Sequence, residues 1–259
     1  MKFLGFVGPK GSGKDTAADI LIKAKKAKGK LSFARPLKEI CSKVFDIPMQ
    51  VLNDPELKEK PFAEMKQFGE PVVLTSRALR LIKRECSMRV PETDDNVVMK
   101  YNVERASITG LEGRAMKTPR QLLQVIGTDF IRDRIYKNWH LEAAFSEAQL
   151  SKLTKSGVYC ITDARFPNEL EFLKEKFGAA FTAYYVERPE AEERLAAATH
   201  ESELGVKAIR EVLGEEHVIQ NAGTMDAFGK LVKGLKAPEE STAEKTKGPG
   251  SKFIYGPRE

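Results

Sequence analysis

The stretch GFVGPKGSGKDTAADIL, residues 5–21, decides the fold. Its middle, residues 8–14, has glycines at positions 8, 11 and 13 and ends on Lys14, which is the pattern of a phosphate-cradling P-loop. The pattern then requires Ser or Thr, but this chain has Asp15, and Thr16 follows one step later. The sequence therefore indicates either a nucleotide-binding loop with a modified end or a tight glycine turn.

The residues on either side of the loop favour phosphate binding. Residues 2–7, KFLGFV, form an apolar run typical of a buried parallel strand, and residues 14–28 have apolar positions suited to a helix. In such a strand–loop–helix unit the backbone N–H groups face a phosphate, and the helix N-terminus adds partial positive charge. We predict that this loop binds phosphate and that Lys14 reaches the terminal phosphates as a compact cation. A GxGxxG dinucleotide motif fits less well, because the glycines do not keep that spacing.

Asp15 leaves two interpretations open. The hydroxyl that usually occupies this position ligates Mg²⁺, and a carboxylate is also a hard oxygen ligand. The alternative is that Asp15 is a first-turn acid that favours the helix dipole, while Thr16 supplies the hydroxyl. Because a carboxylate beside a phosphate repels it unless a cation intervenes, we expect strong dependence on a metal ion.

The composition is that of a globular protein that binds no membrane. The 259 residues are 41% hydrophobic and 31% charged, and no apolar run approaches the roughly 18 to 20 residues needed to span a bilayer. The first residues lack a signal-peptide h-region, so we expect a cytoplasmic location. Cys41, Cys86 and Cys160 are far apart and form no CxxC pair, which favours buried thiols over a disulfide framework or a zinc site.

The net charge of +6 comes partly from a lysine-rich run at residues 23–30. The simpler interpretation is a solvated helix end whose cations favour the dipole. The alternative is attraction for polyanions, but the interleaved aromatic residues of a nucleic-acid platform are absent from this run. We therefore expect no nucleic-acid partner. No pattern in the sequence determines the oligomeric state, for which a homodimer is only a guess.

Strand-like and helix-like segments alternate along most of the chain. Short apolar strands are predicted at residues 2–7, 31–33, 157–166, 181–189 and 217–224, and helical patterns separate them. This alternation predicts an α/β fold with a parallel sheet of about five strands, covered by helices on both faces. Residues 50–117 are predicted to be an insertion with helical pieces over the core. Residues 236–259 are rich in Pro, Gly, Ser, Lys and Glu, and we expect a mobile tail there.

Polar clusters fall where successive elements would reach one edge of the sheet. Arg35 and Lys38 follow the second strand, and Asp163, Arg165 and Glu169 follow the third. A further cluster surrounds the helix predicted at 118–135: Arg120, Thr128, Asp129, Arg132 and Trp139. Open α/β sheets bind ligands at the carboxyl ends of their strands, so these side chains are candidates for a second anion site. The plainer alternatives are solvated basic residues, a core Trp139, and an Asp163 that caps a helix.

Taken together, four segments resemble one family. The segments GPKGSGKDT, FARPLK, RQLLQVIGTDFIR with a following Trp, and DARFPNE are similar to those of bacteriophage deoxynucleoside monophosphate kinases, which resemble the broader nucleoside monophosphate kinases in fold. The resemblance covers roughly residues 1–235 and is weak between 50 and 117. It implies a P-loop kinase domain with a lid at about 188–205, ATP as phosphoryl donor, Mg²⁺, and a deoxynucleoside 5′-monophosphate as acceptor.

The resemblance also implies roles for individual residues. Those implied for the ATP phosphates are Gly11, Ser12, Gly13, Lys14, Asp15 and Thr16, with Asp15 or Thr16 at the metal and Asn221 in a loop near the adenine. Those implied for the monophosphate are Lys38, Arg120, Thr128, Asp129, Trp139, Asp163, Arg165 and Glu169, beside the candidate Arg132. Arg188 and Arg194 are the lid arginines that would close over the moving phosphoryl group. Lys14, Arg165, Arg188 and Arg194 are thus the candidate catalytic residues.

Two other functions compete with this one. Another P-loop small-molecule kinase, such as phosphomevalonate kinase, also has a loop similar at Gly-Lys-Asp. A non-enzymatic nucleotide-binding or nucleic-acid-binding adaptor would use the lysine-rich run instead, and its affinity for polynucleotides would fall steeply with salt. A monophosphate kinase would serve deoxynucleotide supply for DNA synthesis, in a host cytoplasm if the gene belongs to a phage.

Overall fold

Seven strands, five of them in one central sheet, organise the described part of the protein. The computed structural model describes residues 1–89, 97–197 and 201–238. The strands are β1 (Lys2–Val7), β2 (Gly29–Leu31), β3 (Val72–Val73), β4 (Ala115–Met116), β5 (Val158–Ile161), β6 (Phe181–Glu187) and β7 (Val218–Gln220). Five of them form a sheet in the order β2-β5-β1-β6-β7, and every neighbouring pair in it is parallel. The glycine loop follows β1, so it begins at the centre of the sheet.

Helices fill the connections between strands. In chain order they are α1 (Lys14–Lys23), α2 (Arg35–Phe45), α3 (Met49–Asn53), α4 (Ser76–Met88), α5 (Val97–Arg105), α6 (Pro119–Gln124), α7 (Trp139–Ala144), α8 (Glu147–Leu150), α9 (Pro167–Phe177), α10 (Pro189–Ala196), α11 (Glu201–Val212) and α12 (Met225–Lys233). Short 3₁₀ turns lie at Leu57–Glu59, Phe62–Glu64, Gly178–Ala180 and Glu215–His217. A π-helical segment, Val125–Arg132, continues α6.

The sheet is covered on both faces, as a parallel sheet requires. Side chains alternate along β1: Phe3 and Val7 pack into one cluster with residues of α9 and α11, whereas Leu4 and Phe6 pack into another with residues of α1 and α12. The same alternation along β6 separates Tyr185 from Tyr184. The predicted α/β fold with five parallel strands is therefore confirmed.

Several strand boundaries differ from the predicted ones, since β6 ends at Glu187 and β7 at Gln220. The second strand was predicted at 31–33 but lies at Gly29–Leu31. The chain leaves the sheet at Ser32, because the Ser32 hydroxyl donates to Asp163 at 2.6 Å and accepts from the N–H of Ala34 at 3.2 Å. The strand predicted at 157–166 is shorter as well and ends at Ile161.

A third apolar cluster lies in the stretch between Ile40 and Ala143. It combines side chains of α2 with those of α3 to α7, and several of them belong to the region predicted to be an insertion, residues 50–117. The antiparallel pair of β3 with β4, which joins Val72 to Met116, was not predicted. The domain limits 1–235 and 50–117 stay predictions. Part of the predicted lid, residues 198–200, and most of the predicted tail, residues 239–259, lie outside the described residues.

The π-helical segment is shaped by a glycine contact. A Cβ at Gly127 would lie 2.7 Å from Cδ2 of Leu37, so a larger residue there would displace the Leu37 side chain of α2. Thr118 caps the preceding helix as predicted, since its hydroxyl accepts from the N–H of Gln121 at 3.1 Å. Thr128, one of the predicted acceptor residues, lies exposed on the π-helical segment.

Candidate functional site

Two positions of the glycine loop require glycine, because a Cβ at either one would collide with a neighbouring atom. A Cβ at Gly8, whose φ is +148°, would lie 2.5 Å from the carbonyl oxygen of Val186. A Cβ at Gly13, whose φ is +106°, would lie 2.5 Å from Nδ2 of Asn221. Both positions combine a left-handed or extended positive φ with a close neighbour, which only glycine accommodates. The loop is thus fixed by backbone geometry before any ligand is considered.

Lys14 points into this loop. Its ammonium group donates to the carbonyl oxygens of Gly8 and Pro9, each at 2.7 Å. Burial is the main cause that lowers the pKa of Lys14 to about 8, and the nearby charge of Arg165 lowers it further. An ammonium has three N–H donors, so one is left over after these two bonds. The group is therefore a half-buried cation held inside the loop.

Ser12 and Asn221 form the back of the loop. Ser12 is fully buried, and its hydroxyl oxygen has no hydrogen-bond partner among the described residues. Asn221, directly after β7, donates from Nδ2 to the carbonyl oxygen of Ser12 at 2.8 Å, while its own N–H donates to Glu187 at 2.7 Å. Asn221 thus connects the end of two strands to the loop. Its predicted position near an adenine stays a prediction.

Asp15 begins the first turn of α1 with an exposed side chain. Its Oδ1 accepts from the hydroxyl of Thr162 at 2.8 Å and lies 3.8 Å from the ammonium of Lys30. Lys30 is closer to Asp19, at 3.0 Å. The half-buried Thr16 follows on the same turn. The carboxylate is therefore directed toward the carboxyl end of β5, where Asp163 lies.

Asp163 has one oxygen in use and one buried without a partner. Its Oδ2 accepts from the Ser32 hydroxyl at 2.6 Å and from the N–H of Ala34 at 3.2 Å. Ala34 is the N-cap residue of α2. This oxygen thus ties the end of β5 to the start of α2. Its Oδ1 has no partner among the residues that the structure describes. Burial raises the pKa of this carboxyl group.

Arg165 is positioned from two directions. Glu169 accepts from the N–H of Arg165 at 2.6 Å and from that of Phe166 at 3.1 Å, so this buried carboxylate fixes the loop that follows β5. The guanidinium of Arg165 donates to Glu203 of α11 at 3.0 Å. Gly205 lets α11 approach this closely, because a Cβ at that position would lie only 2.3 Å from the carbonyl oxygen of Arg165. Glu169, predicted to line the substrate site, has both oxygens engaged in the fold, the second near His140 at 3.3 Å.

The two predicted lid arginines lie on or beside α10. Arg194 is exposed, and its Nη2 lies 3.1 Å from the position that a Cβ at Gly11 would occupy. Its guanidinium is therefore next to the glycine loop. Arg188 precedes α10 and forms an exposed ion pair with Glu190 at 3.0 Å. Of the two arginines, Arg194 is the one that lies beside the glycine loop.

The remaining acceptor candidates lie on α2, α6 and the π-helical segment. Lys38 donates to Oδ1 of Asn53 at 3.0 Å, and burial lowers the pKa of its ammonium, opposed by the charge of Asp163. Arg120 and Asp129 form exposed ion pairs, with Glu59 and with Arg114. Arg132 lies 5.0 Å above the ring of Phe166. Lys38 is thus linked to the Asp163 region by charge, and Arg132 to the loop after β5 by contact.

Trp139 lies apart from these residues. Its side chain is fully buried in the third apolar cluster, and its indole N–H donates to the carbonyl oxygen of Cys86 at 3.2 Å. This is the core environment named above as the plainer alternative for this residue. Contact with a substrate would require the surrounding helices to move, so its substrate-binding role stays a prediction.

Sequence reasoning missed three side chains that hold the predicted ones. Thr162 donates to Asp15, Ser32 donates to Asp163, and Glu203 pairs with Arg165. Thr162 and Ser32 each lie within one residue of a strand's carboxyl end, a position that signals a ligand-facing role. No comparable signal marks Glu203, because it reaches the site from a helix 38 residues farther along the chain.

Other classes of site find little support in the described ranges. No helix there is long and apolar enough to cross a membrane. No group of three or more His, Cys, Asp or Glu side chains there is arranged to hold a metal ion. The three cysteines are free and buried, as predicted.

Comparison with known proteins gives one family and one relative. A family model described as "Deoxynucleotide monophosphate kinase" matches residues 2–232. A protein of Acanthamoeba polyphaga mimivirus, named "Putative deoxynucleotide monophosphate kinase", is 27% identical over 239 residues. That alignment covers 88% of this chain and 92% of the mimivirus protein. The family match spans the glycine loop and the elements that carry the acceptor candidates.

Proposed function

The chain belongs to the deoxynucleotide monophosphate kinase family, and from that premise we propose that it transfers the γ-phosphoryl group of ATP to deoxynucleoside 5′-monophosphates. The family makes it a phosphotransferase that acts on a deoxynucleotide monophosphate. The products would be deoxynucleoside diphosphates, which supply DNA synthesis. Because both substrates are intracellular metabolites, we place this activity in a cytoplasm, that of the host if the protein is phage-encoded.

The observation that carries this proposal is the half-buried Lys14, whose ammonium donates to two carbonyl oxygens of the glycine loop. A triphosphate would accept hydrogen bonds from the loop's N–H groups and from the remaining N–H of Lys14. The partial positive charge at the N-terminus of α1 would favour its binding. The unpartnered hydroxyl of Ser12 is a further polar atom in this loop without a protein acceptor. Arg194 lies beside Gly11, where it would neutralise charge on the transferred group.

The residues present fit a magnesium ion held partly by phosphates. Mg²⁺ commonly binds one or two carboxylates together with water and substrate phosphates rather than an all-protein cage. Asp15, Thr16 and the unpartnered Oδ1 of Asp163 are hard oxygen donors near the carboxyl end of β5. When bound, the ion would neutralise charge between the β- and γ-phosphates. We propose Asp15 or Thr16 as its protein ligand, oriented in the case of Asp15 by Thr162.

The acceptor would bind opposite the loop, between β5 and α2. We assign its phosphate to Lys38, Arg120 and Arg165, and its remaining contacts to Thr128, Asp129, Arg132 and Asp163. Glu169 would act by positioning Arg165. No general base is required, because the attacking phosphate oxygen is already anionic near neutral pH. Catalysis would therefore depend on alignment and charge neutralisation, with Arg188 and Arg194 closing over the reacting groups.

A panel of acceptors tests the proposal. The full-length protein is incubated with Mg-ATP and each ribo- and deoxynucleoside monophosphate, with mevalonate phosphate as a separate acceptor, and diphosphate formation is followed. We expect turnover of at least one deoxynucleoside monophosphate and none of mevalonate phosphate. Tight polynucleotide binding with no acceptor phosphorylation would instead support the adaptor, and the absence of any nucleotide product would refute the assignment.

A further inference from the structure

One carboxylate of α11 lies on the side of the helix that packs into the protein. Val206 and Ile209 of α11, and Leu213 directly after it, are buried in the apolar cluster that α9 and α11 share with β1. Glu203 precedes Val206 by three residues, so the helical repeat places it on the same face. Only 20% of its side chain is exposed. A carboxylate in this position loses hydration and therefore needs a polar partner.

The partner of Glu203 is the guanidinium of Arg165, in the loop after β5. Nη1 of Arg165 donates to Oε1 of Glu203 at 3.0 Å. The backbone of Arg165 is fixed as well, because its N–H donates to Glu169 at 2.6 Å and its carbonyl oxygen lies against Gly205 of α11. Both ends of the arginine are therefore held, the backbone by Glu169 and the side chain by Glu203.

The ion pair leaves part of the guanidinium available to a ligand. A guanidinium has five N–H donors, and among the described residues the side chain of Arg165 is hydrogen-bonded to Glu203 alone. Its exposed fraction is 41%, about twice that of the Glu203 side chain. Arginine binds a phosphate through two N–H groups at once. Arg165 can thus keep its bond to Glu203 while it presents other N–H groups to a phosphate.

The pair lies next to the phosphate loop. β5 is the neighbour of β1 in the sheet, so the loops that follow the two strands leave the same edge side by side. The hydroxyl of Thr162, which begins the loop after β5, donates to Asp15 at 2.8 Å. Burial is the main cause that lowers the pKa of Lys14 to about 8, and the charge of Arg165 lowers it further. The charges of Asp15 and Glu203 oppose this effect, which agrees with their place beside the loop.

We propose that Glu203 is a positioning residue, which holds the guanidinium of Arg165 toward the reacting phosphate groups. This inference rests on the proposed function, in which Arg165 contacts the acceptor phosphate. An arginine loses side-chain entropy when it is fixed in one orientation, and an ion pair that fixes it beforehand removes this cost from the reaction. The fold does not depend on the pair to hold α11, since Val206, Ile209 and Gly205 already pack the helix. The contribution of Glu203 should therefore appear in turnover rather than in stability.

Replacing Glu203 by Gln tests this, because the amide keeps the shape of the side chain and removes its charge. The matched control is Glu211→Gln, which changes an exposed carboxylate farther along α11. Steady-state assays use the full-length protein with Mg-ATP and each deoxynucleoside monophosphate. We expect E203Q to lower kcat/KM for the monophosphate about tenfold, the range of a charge-assisted hydrogen bond. The KM for ATP should stay unchanged and the melting temperature should change little, and E211Q should match the wild type in every measurement.

A double-mutant cycle shows whether Glu203 acts through Arg165. We expect Arg165→Met to lower kcat/KM about 10²-fold, and adding E203Q to R165M should cause no further loss. An active wild type whose kcat/KM is unchanged by E203Q refutes this inference alone. A further tenfold loss in the double variant, or equal losses in E203Q and E211Q, would overturn it too. A wild type that phosphorylates no deoxynucleoside monophosphate refutes the proposed function, and the inference falls with it.

Discussion

The donor and acceptor sides of the site are built in different ways. The donor side, residues 8–16, is contiguous in sequence and shaped by close backbone approaches at Gly8 and Gly13, with a half-buried lysine inside it. The acceptor side brings together side chains from distant segments, and ion pairs such as Arg120 with Glu59 lie exposed on it. Exposed ion pairs stabilise a fold weakly. The comparison suggests that the donor side is preformed, whereas the acceptor side is completed by its ligand.

The largest effect should come from the half-buried cation of the donor side. We expect Lys14→Ala to lower kcat by about 10³-fold, because it removes the ammonium that is bonded to the carbonyl oxygens of the phosphate loop. A coupled assay for diphosphate formation measures this. Lys23→Ala, an exposed lysine at the far end of α1, serves as the control and should keep its activity. Wild-type turnover by K14A would exclude the loop from the mechanism and remove the contrast between the two sides.

On the acceptor side, an arginine should affect one substrate only. We expect Arg120→Met to raise the KM for the monophosphate about 30-fold and to leave the KM for ATP unchanged, since it removes a charged hydrogen-bond donor. The melting temperature should change little, because the ion pair with Glu59 is exposed. Steady-state kinetics with each substrate varied in turn measures the split, and Arg80→Ala on the exposed side of α4 is the control. An equal rise in both KM values would contradict a separate acceptor side.

The affinity for ATP should depend on pH through Lys14. Its pKa is about 8 in the free protein, and a bound phosphate favours the charged form and raises that pKa. Below pH 8 the group is already protonated, so affinity should be flat. Above pH 8 binding requires proton uptake, and affinity should fall about tenfold by pH 9. Fluorescent-nucleotide titration measures this, and Lys14→Arg, which stays protonated, should remove the dependence on this group. A flat wild-type profile would mean that no half-buried amine meets the phosphates.

The smallest expected effects compare two asparagines, one on each side. Asn221→Ala loses the hydrogen bond to the carbonyl oxygen of Ser12, and Asn53→Ala loses that to Lys38. Each bond is worth about 1 kcal/mol, or roughly a fivefold change. We expect N221A to raise the KM for ATP and N53A to raise that for the monophosphate, so each variant is the other's control. An effect of N221A on the monophosphate alone would place Asn221 on the acceptor side.

The donor side could be predicted from the sequence, whereas most of the acceptor side could not. The strand, loop and first helix depend on neighbouring residues, so the glycine spacing was sufficient to predict them. The acceptor side depends on contacts between segments far apart, which no local pattern encodes. Trp139 illustrates this, because a single tryptophan near a polar cluster suits a core position and a binding platform equally well.

The π-helical segment Val125–Arg132 has a consequence for protein engineering. A π-helix bonds each N–H one residue farther back than an α-helix does, so the segment corresponds to an α-helix with an inserted residue. Deleting Gly127 would allow regular winding and would rotate Thr128 and Asp129 by about 100° around the axis. We expect the shortened chain to lose selectivity for its acceptor. The π-helical winding thus sets the direction of the Thr128 and Asp129 side chains, and a regular α-helix would point them elsewhere.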